Sequence, residues 1–400
     1  MSSPFASLRV LVIDDHAVIR RTLKVVLGGL GITDIEEADS VDAAEQLLRN
    51  APAYDVIFCD LNLPGRDGIE LLRGMPGLAG RTAIILLSGE DERILRSVAA
   101  MGRASGLHVL AAISKPATAQ KISTALARLD ETVPMRRTVA AEPVVSGEQF
   151  DEMLAAGMLS LQYQPKVRVA DGELVGVEAL LRGKHPTLGQ VPPSAIVAAA
   201  VGADRVGALT RFVLQSGIAA AGRFHKEGLK ISVALNVDAK SLGSPRLPDV
   251  IADLAQEHDV PMAAVSVEID ESQIFDDYVR ALDVTTRLRL KRCHLCIDNF
   301  GTGPSGLRDL VDLPFSEMKI SRRYIAGCAG DLAHRAITQA AIGLARAFDM
   351  KTVAVGVETD AEWEVVKSLG VDMVQGFMVS KPLAEVHVAD WMGEWAMRGR

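Results

Sequence analysis

Short apolar runs recur along this chain, almost every one followed by an amphipathic stretch, and that alternation limits the architecture more than any single motif. In the first third the runs are LRVLVID (8–14), TDIEEA (33–38), YDVIFCD (54–60), TAIILLS (82–88) and HVLAAIS (108–114). A continuous apolar run is the pattern of a strand buried on both faces. The stretch from His16 to Leu30 reads as a helix that stops at Gly28, Gly29 and Gly31. Further helical patterns lie near 41–50, 68–74, 90–102 and 118–130. Five repeats of strand then helix imply an α/β fold with a doubly wound parallel sheet, in which function collects at the carboxyl ends of the strands.

Four hundred residues exceed the usual size of one core, so a second domain is expected. Residues 131–146 (ETVPMRRTVAAEPVVS) mix proline, charge and small residues without periodicity and read as a linker. The predicted units are therefore 1–130, the linker 131–146, and 147–400, the last opening on a helix near Gly147. Asp171-Gly172 between two alternating runs signals a hairpin, and the gap is too short for a crossover helix, so these strands are expected to be antiparallel. Later strands fall near 231–236, 265–269, 294–298, 317–320, 352–356 and 372–376, each after a helical stretch. Eight strands with one reversed fit a (β/α)8 TIM-like barrel. A second Rossmann-like sheet is the competing architecture, but it leaves two strands unused.

Composition narrows the function classes. A net charge of −8 offers no general attraction to nucleic acid or anionic membranes, so an anionic ligand has to be gripped locally. The longest apolar stretch, Ala195 to Gly202, is far too short to span a bilayer. MSSPFASLRV reaches a strand pattern at once, without a signal-peptide core. Four irregularly spaced cysteines suggest reduced thiols and a cytoplasmic protein. Cys293 and Cys296 form a CxxC, but the second pair of a structural zinc site is missing, and both read as buried strand thiols. His16 reads as a surface loop residue.

The strand ends of the first unit gather a specific set. Asp14 and Asp15 follow the first strand, Asp60 ends the third, Ser88 the fourth, and Ser114-Lys115-Pro116 the fifth. Clustered carboxylates repel one another unless a cation sits among them, which points to Mg²⁺. A carboxylate beside the metal, Asp60, can attack a phosphoryl donor, with Lys115 neutralising the phosphoryl oxygens and Ser88 hydrogen-bonding one of them. Each acid alone could equally cap a helix. The set, carried by IDDH, CDLNLPGRDG, LLSGED and ISKP, resembles the receiver domain of two-component response regulators over residues 8–130. The resemblance implies that Asp60 accepts phosphate from a histidine kinase or phosphotransfer protein, and that Asp15 and the Asn62 carbonyl help to bind Mg²⁺. Ala112 stands where many receivers carry an aromatic switch residue.

In the second unit, polar residues again stand at strand ends: Glu178, Asn236, Glu268, Asp298, Lys319 and Gln375. Acid–amide–acid–acid–lysine sets of this kind can hold divalent cations against a phosphodiester, and oxygen ligands favour Mg²⁺ or Mn²⁺ over zinc. Arg182, one helical turn past Glu178, could hold a phosphate. FGTG (300–303) is a glycine loop able to approach a ligand, or simply a turn. Glu271 is placed to brace that loop, although an exposed acid fits it as well, and Asn236 alone would be a strand-end turn residue.

YQPKV, EALLR, HPTLGQVPP, ALNV, VEIDES, IDNFGTG, MKI, VGVET and VQGF…SKPL together resemble the EAL domain, the family of cyclic di-GMP phosphodiesterases and their inactive relatives, over about 147–392. The resemblance implies metal ligation by Glu178, Asn236, Glu268 and Asp298, Lys319 near the attacking water, and ligand contacts from Gln164, Leu180, Arg182 and Gln375. Several positions depart from it. Asn299 follows Asp298 where active members carry a second Asp, and Val355 replaces the glutamate assigned to metal and water activation. Ser321 replaces the usual Asp after the lysine, and Gly183 and Pro304 replace common aromatics. The expected output therefore binds cyclic di-GMP or a protein partner with little or no turnover. An active phosphodiesterase making pGpG, with Glu358 or a water network replacing the lost acid, is the alternative, and a protein that binds no nucleotide is a third. No GGDEF-like stretch or helix-turn-helix suggests cyclase or DNA-binding output. Family habit suggests homo-oligomers.

Overall fold

In the computed structural model, the described residues are 4–50, 54–64, 71, 82–89, 92–105, 107–132, 143–271, 278–303 and 307–397. The chain divides into two compact units, Met1–Val139 and Ala140–Arg400. Most of the expected helix at 68–74, the GRDG and ED ends of two receiver motifs, most of the expected linker, and Pro304 lie outside the described residues.

The first unit is built on five parallel strands, β1 (Arg9–Ile13), β2 (Asp34–Ala38), β3 (Val56–Asp60), β4 (Ala83–Ser88) and β5 (His108–Ser114), in the order β2-β1-β3-β4-β5. Alternate residues of β1, β3 and β4 enter two different cores. Leu11, Ile13, Ile57, Cys59, Ile84 and Leu86 belong to one, and Val10, Val12, Phe58, Ile85 and Leu87 to the other. Burial on both faces is why these runs are apolar throughout rather than alternating. The strand order reverses between β1 and β3, so Asp14 and Asp60 emerge on either side of the switch point, where such sheets bind ligands.

The second unit opens on the helix Gly147–Ala155, whose N-terminus carries a reciprocal Ser146–Gln149 capping box. Its strands are β6 (Leu159–Arg168), β7 (Leu174–His185), β8 (Gly189–Val191), β9 (Ser232–Asn236), β10 (Val265–Asp270), β11 (His294–Phe300), β12 (Glu317–Ile320), β13 (Lys351–Val355) and β14 (Met373–Gln375). β6 pairs antiparallel with both β7 and β14, while β7 and β9 to β14 run parallel, so eight strands close into a barrel. β8 is an additional edge strand antiparallel to β7 and is too short to leave a periodic signal. The hairpin turns at Gly172, whose φ is +70°, and Trp395 of the last helix donates to the Gly172 carbonyl at 2.8 Å. The barrel also contains an ion pair between the buried Lys166 and the partly buried Glu317 at 2.5 Å.

Candidate functional sites at the strand ends

In the first unit, Lys115 draws the two sides of the switch point together. Its ammonium lies 2.8 Å from Asp14 and 2.7 Å from Asp60. Asp14, Asp60 and Ser88 are all buried, and the Lys115 amide donates to the Ser88 carbonyl at 2.8 Å. Burial raises the Asp60 carboxyl above its ordinary range, against the pull of Lys115. Burial also works against the Lys115 charge, yet the bonds to Asp14 and Asp60 outweigh it and raise its affinity for the proton. The Asn62 amide is 3.4 Å from Asp60. His16 is exposed, with Nδ1 2.6 Å from Asp15, and its amide is tied to Asp14 at 2.9 Å. Arg20, absent from the sequence-based set, donates to the carbonyls of Asp14 and Asp15 and fixes the acidic loop from one turn into the following helix. Ala112 is exposed on β5.

In the barrel, Lys319 is the centre of the rim site. It is buried, and its ammonium donates at 2.7 Å to both Glu178 and Glu268, with Asp298 at 3.6 Å. Glu178 also accepts from Asn236 at 3.0 Å and from Gln375 at 2.7 Å, and Gln375 bonds Gln164 at 3.1 Å. Burial opposes ionisation of Glu178, but Lys319, Asn236 and Gln375 overcome it and bring its pKa down to about 2. Burial, with Glu178 alongside, drives the Glu268 carboxyl well up despite Lys319, and burial raises Asp298 too. Three acids sharing one ammonium form an oxygen-donor cluster short of positive charge, and such a donor set fits a hard divalent cation.

Arg182 is not one helical turn beyond Glu178. Both lie on β7, so Arg182 sits four extended residues away, roughly 13 Å along the strand. It donates to Gln162 at 2.8 Å and, with Leu180, lines a cleft of about 290 Å³ that reaches Asn236, Glu268 and Asp270. Gly183 is enclosed, since a Cβ there would stand 2.6 Å from Met153 and 2.7 Å from Ile196.

Glu271 is buried, and its Oε2 accepts from the amides of Gly301, Thr302 and Gly303 at 2.9, 3.0 and 2.8 Å. Tyr324 donates to the Gly301 carbonyl at 2.6 Å. Gly301 has a φ of +92°, and a Cβ there would meet the Tyr324 ring at 2.7 Å, so the latched loop requires glycine.

The departures from the family pattern have distinct surroundings. Asn299 has a φ of +57°, and its amide donates to Asp270 at 2.9 Å and Asp298 at 3.2 Å. Val355 pairs with Gln375 and lies two residues past Val353, the partner of Lys319, so it faces the pocket side of β13. Ser321 is buried and caps the short helix after β12 through the Arg323 amide. Glu358 is exposed and ion-paired with Arg322 at 2.7 Å. Cys293 and Cys296 are both buried, and their odd spacing along extended chain sends the thiols to opposite faces. Gln162 and Asp270 were also outside the expected set. The signal for Asp270 was its period-2 spacing from Glu268.

The EAL domain family model matches residues 148–382, and the response regulator receiver domain model matches residues 10–127. The cyclic di-GMP phosphodiesterase RocR of Pseudomonas aeruginosa is 31% identical over 393 residues, spanning 96% of this chain and 98% of its own length. Among solved structures, the PaMucR phosphodiesterase in complex with c-di-GMP superposes with a TM-score of 0.56 at 32% identity, over 59% of this chain and 96% of that one. The manganese/cy-diGMP complex of Klebsiella pneumoniae BlrP1 does so with a TM-score of 0.52 at 26% identity, over 57% of each chain. No helix among the described residues is long and apolar enough to cross a membrane. A receiver-type switch point and an acid-lined barrel rim on one chain, matched along its whole length by a relative of the same order, place this protein in the EAL-domain family, with its EAL domain preceded by a response-regulator receiver domain.

Proposed function

We propose that the protein is a response regulator in cyclic di-GMP signalling, phosphorylated on Asp60 by a histidine kinase or phosphotransfer protein, with an EAL output that binds cyclic di-GMP and turns it over little or not at all. In the receiver, Asp14, Asp15, Asp60 and Asn62 would hold Mg²⁺, Lys115 would balance the incoming phosphoryl charge, and Ser88 would hydrogen-bond it. In the barrel, Glu178, Asn236, Glu268 and Asp298 would hold Mg²⁺ or Mn²⁺, which supplies Lewis-acid stabilisation of a phosphodiester when bound. Gln164, Leu180, Arg182 and Gln375 would position the nucleotide, and Lys319 keeps Glu178 ionised.

The observation that carries the loss of turnover is Val355. It faces the pocket beside Gln375, and an isopropyl group there can neither ligate a cation nor take a proton from water. Glu358 does not offer a substitute, because its carboxylate pairs with Arg322 at the surface. Loss of a general base alone typically costs about 10²–10⁴ in rate. The full-length relative named as a phosphodiesterase favours the second reading, active hydrolysis to pGpG. Calorimetry with cyclic di-GMP and Mn²⁺, followed by a turnover assay on the same sample, separates them. Binding without pGpG is expected, and steady release of pGpG overturns the proposal.

A further inference from the structure

The replacement of the second aspartate by Asn299 looks at first like the loss of a cation ligand with nothing in its place. The strand register tells a different story. β10 and β11 are parallel neighbours in which Asp270 pairs directly with Asp298. Asp270 lies two residues beyond Glu268, so both project from the same face of β10, and both line the cleft. The positive φ of Asn299 swings its amide between these two acids, 2.9 Å from Asp270 Oδ2 and 3.2 Å from Asp298 Oδ2. A single point is thus flanked by two carboxylate oxygens from adjacent strands. A half-turn of the Asn299 amide puts its oxygen where the nitrogen stands, 2.9 and 3.2 Å from the two carboxylate oxygens, and three oxygens at that spacing can form one face of a cation's coordination shell.

Charge argues the same way. Glu178, Glu268 and Asp298 gather round one ammonium, Lys319, and Asp270 stands beside Asp298 in the strand register. With one divalent cation bound and Arg182 in the same cleft, these charges only balance, and a nucleotide phosphodiester entering the cleft adds negative charge. A site meant to receive a phosphodiester needs further positive charge beside Asp298.

We infer that Asp270 supplies the carboxylate missing at Asn299, so that Asp298, Asp270 and the Asn299 amide oxygen hold a second divalent cation. The inference rests on reading the rim as a divalent-cation site. It separates two properties of the pocket, since the second ion and the nucleotide grip survive while the base at Val355 does not.

The test counts ions on the full chain. Mn²⁺ is titrated and the free ion measured by electron paramagnetic resonance for wild type, Asp270→Asn, and Asp270→Asn combined with Asn299→Asp. The receiver contributes the same background in all three. Asp270→Asn should weaken one bound ion at least about tenfold, and the double variant, which moves the carboxylate back across the strand pair, should regain it. Circular dichroism in EDTA checks that each variant is folded. If Asp270→Asn does not fold, the double variant alone still reports whether a carboxylate on either strand serves. An unchanged titration for Asp270→Asn, or a folded double variant that fails to regain the ion, overturns the inference. A wild type that binds the second ion yet ignores cyclic di-GMP would sink the nucleotide reading and leave this one standing.

Discussion

Replacing Glu271 by Gln isolates what the buried carboxylate does for the 301–303 loop. Glutamine keeps the shape and one acceptor oxygen but removes the charge. Three amides converge on Oε2 at 2.8 to 3.0 Å. A hydrogen bond to a charged acceptor contributes about 1.5–3 kcal/mol, and one to a neutral acceptor about 0.5–1.5. The difference is about 1 kcal/mol per bond and about 3 kcal/mol for the set. Spread over local opening of the loop, about 3 kcal/mol is roughly two decades in the opening equilibrium. Amide hydrogen exchange reads this directly, because these three amides exchange through local opening. In Glu271→Gln, protection at Gly301, Thr302 and Gly303 should fall about 100-fold, while amides in β12 stay as in wild type. Protection within threefold of wild type would refute the reasoning, because it would mean that glycine geometry and the Tyr324 bond alone hold the loop.

A small phosphodonor with Mg²⁺ should label wild type and leave Asp60→Asn unlabelled; equal labelling of the variant would remove Asp60 as the phosphoacceptor. Val355→Glu alone should raise cyclic di-GMP hydrolysis and adding Asn299→Asp should raise it little further, since Asp270 already serves the second cation and the base is what is missing; a wild type already as fast as the Val355→Glu variant would end the reading of Val355 as the silencing residue. Lys166→Met should cost about 3–5 kcal/mol in a denaturant titration, because it strands the partly buried Glu317 carboxylate without its partner; a loss under about 1 kcal/mol would show that Glu317 is rehydrated there. Asp372 accepts from the Thr352 amide and hydroxyl at 2.9 Å; burial opposes its charge, but these bonds and Lys351 hold its pKa below the ordinary value. Its contribution is present above the unfolded pKa of about 3.9 and fades as pH falls through the lower folded value. Asp372→Asn should therefore cost about 1 kcal/mol at pH 7 and progressively less below pH 4, and a gap that stays constant with pH would contradict the assignment.

Much of this protein was legible without coordinates because the relevant signals are local. Burial on both faces makes β1, β3 and β4 apolar throughout, hairpin chemistry at Asp171-Gly172 reverses β6, and the residue at the end of each strand falls on one rim once the strands are parallel. These constraints act over a few residues, so the chain displays them directly. What only the tertiary structure decided is which strand ends face one another. Lys319 is 141 residues from Glu178 and 51 from Glu268, yet it bonds both. Lys166 finds Glu317 across 151 residues of chain. The distance from Glu178 to Arg182 depended on whether that segment coiled or extended. The meeting of Asn299 with Asp270 depends on the β10–β11 register together with one left-handed residue, and neither leaves a periodic trace. Register in a closed barrel is set by strand stagger around the whole ring and by packing between elements far apart in sequence. A site assembled from eight strand ends is therefore visible in the sequence as a list of residues and becomes a geometry only when the barrel closes.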